Sequence, residues 1–215
     1  MDAEKIKLIE LFKDSNTCFI VPNYKPAYNW STIQCSKLFK DLLELGKGES
    51  NEQSFGSIIL LESSNADEAE VQILDGQQRL TTIMLLLVAL AGYIKENPHK
   101  ESPLSFEELI NGGYIFKHER ENKSEYHLKL MLTEEDQATY DSVIQQLIKP
   151  NTNIIDNSKN IIENIEFFKH KIESSTEIDA LWKGLHQLEV FTFSLVPGED
   201  KPGLIYESMM FEYYK

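Results

Sequence analysis

The sequence predicts an α/β fold: a small mixed sheet with one long buried helix packed on it, continued by a helical extension. Three observations lead there. Short runs rich in Ile, Val, Leu and Phe lie near 19–21, 55–61, 71–74 and 190–196, and they have strand length. The run at 71–74 leads through Asp75-Gly76-Gln77-Gln78-Arg79 into an apolar stretch too long for a strand, so a helix is expected over 77–96. From about 104 to 188 the apolar residues recur mostly at helical spacing. This places a first region at 1–103 and a mainly helical extension at 104–215.

Taken in order, residues 3–13 set Ile6, Leu8, Ile9 and Phe12 near helical spacing with Lys and Glu opposite, which predicts an amphipathic helix ended by Asp14-Ser15-Asn16. Phe19-Ile20-Val21 is strand-like and Pro22 limits it. Ser31 with Gln34 forms a capping box, opening a helix that Gly46 or Gly48 ends. The runs 55–61 and 71–74, separated by the acidic loop 62–70, are expected to be neighbouring strands. Asn97-Pro98 stops the central helix. Phe106 to Ile110 reads as a short helix, and 114–116 with 126–132 as a hairpin around the charged loop 117–125. Thr133 is an expected N-cap, with Glu134, Glu135 and Asp136 as helix-start acids. Helices over 158–172 and 177–188 and a strand over 190–196 complete the series.

Composition narrows the function. Apolar residues make up 41% and charged residues 26%, ordinary for a soluble globular protein. A formal charge of −14, from 35 acidic and 21 basic residues, argues against gripping DNA by bulk electrostatics, which needs clustered Lys and Arg. Cys18 and Cys35 make no CxxC pair and are too few for a disulfide framework, so reduced thiols and a cytoplasmic location are expected. The first residues lack the basic-then-apolar order of a signal peptide. The run Ile83 to Ile94 is 12 residues, too short to span a bilayer, and no membrane partner is expected. His99, His118, His127, His170 and His186 form no zinc-binding spacing, and Gly46-Lys47-Gly48 lacks the remainder of a P-loop.

The strand-to-helix junction at 75–82 is the candidate site. The first N–H groups of a helix lack intrahelical acceptors, and the aligned peptide dipoles leave partial positive charge there. A phosphate satisfies several such donors at once, and Gly76 removes the Cβ that would block its approach. Arg79 adds a permanently charged fork, while Gln77, Gln78, Thr81 and Thr82 supply further polar groups to the first turn. Asp75 fits as a ligand of a bridging Mg²⁺ or as a group that orients water or Arg79; capping the helix is the plainer alternative. In the block Asn23 to Trp30, Tyr24, Tyr28 or Trp30 offers a ring for a base and Lys25 a charge for phosphate, unless the aromatics only wedge the loop against the domain.

Asp75-Gly76-Gln77-Gln78-Arg79-Leu80-Thr81-Thr82, preceded by Phe55-Gly56-Ser57-Ile58-Ile59 and by Val21-Pro22-Asn23-Tyr24, resembles the amino-terminal domain of the GmrSD family of modification-dependent restriction systems. The likeness continues through Leu128-Lys129-Leu130 and Phe191-Thr192-Phe193 to Ile205-Tyr206-Glu207, so it covers nearly the whole chain. It implies a sheet of ParB/sulfiredoxin type in 1–103, and nucleoside triphosphate (NTP) binding with Mg²⁺ at 75–82. Gly56 and Ser57 would lie near the ligand, or Gly56 would only mark a bulge. Catalysis, where present, would fall to Asp75 and Arg79. The resemblance also implies a separate HNH-like nuclease domain or subunit through which DNA is reached. Two departures stand out. Lys25-Pro26 replaces the Gln-Arg usual in the family, and the helix beginning at Leu204 lacks the Asn and Gly expected after Glu207, as if truncated. Both favour a regulatory module that binds nucleotide, DNA or a partner without hydrolysis over a full NTPase.

Overall fold

The computed structural model describes residues 2–13, 17–50, 54–63, 70–99, 102–117 and 127–198. The expected turn at 14–16, most of the loops 62–70 and 117–125, and the segment from Leu204 to Tyr214 lie outside the described residues.

The fold is α/β. Its mixed sheet runs in the order β1-β8-β3-β4-β2-β7, from β1 (Asp2–Lys7), β2 (Cys18–Ile20), β3 (Ser54–Glu62), β4 (Glu70–Asp75), β7 (Leu130–Met131) and β8 (Glu189–Leu195). β4, β2 and β7 run parallel, β3 is antiparallel to β4, and β8 is parallel to β3 but antiparallel to β1. Side chains alternate across this sheet as the pleat requires. Ile58, Leu60 and Ile73 face the main core, while Ile59, Leu74 and Leu195 form a separate cluster with Leu61 and Phe193.

The helices are α1 (Glu10–Lys13), α2 (Thr32–Lys47), α3 (Gln77–Glu96), α4 (Phe106–Asn111), α5 (Glu134–Ile148), α6 (Lys159–Glu173) and α7 (Ile178–Gln187). α2 begins with the expected Ser31/Gln34 capping box and ends at Gly48, whose N–H reaches the carbonyls of Glu44 and Leu45. Gly46 stays inside the helix and serves a different purpose. A Cβ there would lie 1.8 Å from the Ala180 carbonyl oxygen, and one at Gly184 would lie 2.0 Å from that of Leu42, so the two glycines let α2 and α7 touch backbone to backbone.

α3 is the centre of the core, buried continuously from Leu80 to Ala91. Its 20 residues are long and apolar enough to cross a membrane by length and composition, more than the 12-residue run alone implied, because polar first and last turns extend it. However, 72% of that window is buried inside the fold, as for a core helix. Each fully buried Leu or Ile contributes about 1.5–3 kcal/mol, so this helix supplies a large share of the hydrophobic stabilisation.

Two expectations need correction. Residues 3–13 are not one helix: Asp2–Lys7 pairs with β8, setting Ile6 opposite Val190, and only Glu10–Lys13 is helical. The spacing of Ile6, Leu8 and Ile9 fits either period over so short a window, and the available sheet edge decides. The hairpin at 114–132 is also only partly formed. β5 (Phe116–Lys117) pairs with β6 (His127–Leu128), but Leu130–Met131 crosses to the main sheet and lies parallel to β2.

Candidate functional site

The site is built where β4 ends. Asp75 pairs with Ile59 of β3, and the chain then turns at Gly76 with φ +93°. That left-handed backbone suits glycine, and space demands it too. A Cβ at Gly76 would lie 2.9 Å from Ile58 Cγ1 and 3.1 Å from the Ser57 carbonyl oxygen. The consequence falls on α3, whose N-cap has no side chain and makes no side-chain capping bond. The first intrahelical bond runs from Leu80 N to Gly76 O at 3.0 Å, so the amides before it point out of the helix end. No acidic residue sits in that first turn to offset the dipole.

Arg79 closes over this end. Its Nη1 donates to the Ser57 carbonyl at 2.8 Å and lies 3.8 Å from Asp75 Oδ2, with the Arg79 side chain 26% exposed and that of Asp75 40% exposed. The guanidinium rests on Gly56: a Cβ there would lie 3.2 Å from its Cζ. The pairing of β3 with β8 also shifts register between Ser54 and Ser57, so Gly56 both marks an irregularity and makes room for the arginine. Lys25 Nζ donates to the Leu74 carbonyl and sits 5.7 Å from the Tyr24 ring centroid. Burial lowers the Lys25 pKa, and the nearby Asp75 carboxylate opposes that shift. Asp75, Gly76, Arg79, Gly56, Ser57 and Lys25 therefore converge at one end of the sheet.

The remaining candidates divide. Gln77 is half-buried at the first helical position. Gln78 is engaged with the preceding loop: its Nε2 donates to Ala27 O at 3.1 Å and its Oε1 accepts from Asn29 N at 2.9 Å. Thr81 and Thr82 are 2% and 0% exposed. Thr82 Oγ1 donates to Gln78 O at 2.8 Å and accepts from the Tyr28 hydroxyl at 2.7 Å. Tyr28 is 4% exposed, and burial pushes its hydroxyl pKa up, so its ring offers no face to solvent. Tyr28, Thr81 and Thr82 thus support the turn from beneath and are not direct ligand contacts. Tyr24 is exposed, and Trp30 is half-buried, edge-on to Phe55 at 6.3 Å.

Sequence reasoning missed the groups that hold the 24–30 loop from the other side. Asp136, expected as a helix-start acid, is 2% exposed; its Oδ2 accepts from Tyr28 N at 2.6 Å and its Oδ1 from Ser158 Oγ at 2.6 Å. Asn160 Nδ2 donates to Tyr28 O at 3.0 Å, and Asn164 Nδ2 to the Tyr28 hydroxyl at 3.0 Å and Trp30 O at 2.7 Å. The only signal in the sequence was two asparagines on an otherwise amphipathic helix. Thr133 likewise makes no capping bond from its own side chain; Asn23 Oδ1 instead accepts from Glu134 N at 3.0 Å. Cys18 and Cys35 are free and buried, and burial pushes the Cys35 thiol up to about 11, which leaves it unreactive.

Chemically, the arrangement presents helix-end amides with no intrahelical acceptor, a partly exposed guanidinium and one carboxylate near both cations. Among the described residues no three His, Cys, Asp or Glu cluster as a metal site. A divalent cation here would be held by Asp75 together with ligand oxygens and water, as suits Mg²⁺ bound with a polyphosphate. Residues 8–209 match the family model described as GmrSD restriction endonuclease, N-terminal domain. No curated protein matches the chain.

Proposed function

This chain belongs to the family of GmrSD restriction endonuclease N-terminal domains, and within the restriction system that this implies we propose that it binds a nucleoside triphosphate with Mg²⁺ at the Asp75–Arg79 turn. One observation carries the reading. The buried central helix opens on a glycine with no side-chain cap, and a guanidinium rests beside that opening. In this reading the amides after Gly76 receive phosphate oxygens, Arg79 neutralises them, and Gln77 positions an oxygen at the first turn. Mg²⁺ supplies charge neutralisation between Asp75 and the phosphates. Lys25 adds a second cation, and Trp30 or Tyr24 offers the base a flat surface.

Whether binding leads to turnover depends on the second cation. Lys25 is a point charge where a bidentate fork would better hold a transferring phosphoryl group, which favours a regulatory module over a hydrolase. On that view nucleotide occupancy biases a conformation that a cytoplasmic HNH-like nuclease partner reads, and DNA is engaged through the partner.

The test is a titration of purified protein with GTP, UTP, CTP and ATP plus Mg²⁺, with phosphate release followed in parallel. Arg79→Ala should weaken binding by about 10- to 150-fold, the equivalent of about 1.5–3 kcal/mol for a charged hydrogen-bonded contact. Asp75→Asn should lower the Mg²⁺ dependence. Binding without release selects the module; release that both variants abolish selects the hydrolase. No binding of any triphosphate, or binding indifferent to Arg79, refutes the site.

A further inference from the structure

The 24–30 loop is held at its centre from three elements at once. Tyr28 is bonded at its amide by Asp136 of α5, at its carbonyl by Asn160 of α6, and at its hydroxyl by Asn164 of α6 and Thr82 of α3. Gln78 of α3 holds Ala27 and Asn29 on either side. Asn164 is fully buried, and its Oδ1 has no hydrogen-bond partner among the described residues. Exchanging the two ends of the amide would not cure this, because the Trp30 carbonyl at 2.7 Å requires a donor facing it. An apolar residue of the same size would avoid burying that orphan acceptor. Packing alone therefore does not account for an asparagine here, whereas the two bonds its nitrogen makes to the loop do.

We infer that Asn164 and Asn160 are positioning residues that set the 24–30 loop against the first turn of α3 and so set ligand affinity at the Asp75–Arg79 turn from α6. Lys25 and Trp30 ride on the same loop, and Lys25 reaches the end of β4 through the Leu74 carbonyl. Displacing the loop shifts Lys25 from the Leu74 carbonyl and Trp30 from Phe55, the neighbour of Gly56 on which Arg79 rests. Because such coupling is reciprocal, a ligand on the turn is felt where α5 meets α6, at the Asp136–Ser158 bond. This rests on the proposed nucleotide site and adds its regulation: the helical layer tunes the turn.

The experiment uses the full chain in a Trp182→Phe background, which leaves Trp30 as the sole tryptophan of the two. Asn164→Leu and the half-buried Asn160→Ala are compared with Phe168→Leu, which loosens the packing of α6 and removes no hydrogen bond to the loop. Three quantities are read: the melting temperature, acrylamide quenching of Trp30, and affinity for GTP with Mg²⁺ by calorimetry. Both asparagine variants should raise Trp30 quenching and weaken GTP binding about tenfold. Phe168→Leu should lower the melting temperature and leave the other two unchanged. Affinity unchanged in the asparagine variants, or Phe168→Leu reproducing their effect, overturns the inference. Should Asn164→Leu fail to fold, Asn160→Ala decides alone. Should the parent bind no triphosphate, quenching still decides: a rise keeps the loop anchored from α6 while the nucleotide reading falls, and no rise overturns the anchoring as well.

Discussion

Replacing Gly76 by alanine tests the geometry of the turn most directly. The residue sits at φ +93°, where an L side chain costs about 1–2 kcal/mol. The new Cβ would also meet Ile58 Cγ1 at 2.9 Å, the Ser57 carbonyl oxygen at 3.1 Å and Ile58 Cα at 3.3 Å. The first contact is relieved by a side-chain shift, but the other two are main-chain atoms of a central strand. Moving them costs about 1–3 kcal/mol more. Gly48→Ala is the internal control, since Gly48 has φ +75° and nothing within 4 Å of an added Cβ, so only the backbone cost of about 1–2 kcal/mol applies. Urea unfolding followed by circular dichroism measures both. Gly76→Ala should lose about 2–5 kcal/mol in total, which at a slope of about 2–3 kcal/mol/M lowers the midpoint by roughly 0.7–2.5 M. If the two alanines cost the same within about 0.5 kcal/mol, β3 does not press on the turn and the reasoning fails.

Other perturbations probe the surroundings. Tyr28→Phe removes one donor and one acceptor, yet Thr82 keeps Gln78 O and Asn164 keeps Trp30 O, so a loss of about 1–2 kcal/mol is expected by thermal unfolding. Gly184→Ala should cost about 3 kcal/mol or more, because its Cβ would fall 2.0 Å from the Leu42 carbonyl oxygen and drive α2 and α7 apart; equilibrium unfolding that matched the parent would contradict that contact. Lys5 and Lys7 hold the Glu189 carboxyl below its ordinary value of 4.5, at 2.5 and 2.8 Å. Its contribution is therefore present above 4.5 and lost as pH falls through the depressed folded value. The stability difference between parent and Glu189→Gln should close on acidification from pH ~7 to ~3 and shrink with added salt.

What was legible in the sequence was local. The strand-glycine-helix junction and the Ser31/Gln34 box are written in consecutive residues, and they stand where expected. Residues settled by distant partners were not legible. Asp2–Lys7 became a strand because β8 offered an edge some 180 positions away, as the bond from Lys7 to Glu189 records. Asp136 carries the usual signature of a helix-start acid, and nothing nearby in sequence announces that its carboxylate reaches Tyr28 and Ser158. In the sequence the aromatics of 24–30 form one block, yet burial separates an exposed Tyr24 from a Tyr28 sealed under Thr82 and Asn164. Side-chain type fixes what a group can do, and the tertiary contacts decide which of those options is used.

The place of β8 also governs how the protein is made. It lies between β1 and β3, so among the described residues β1 has no strand neighbour until residues 189–195 have been made. β4 can pair early with β2 and β3 while α3 covers them, but the flank of β3 stays open until β8 arrives. An unpaired strand edge in a nascent chain invites misassembly. Truncation before residue 189 would thus strand β1 and expose β3 together, and the cell would see a sticky intermediate rather than a smaller folded domain.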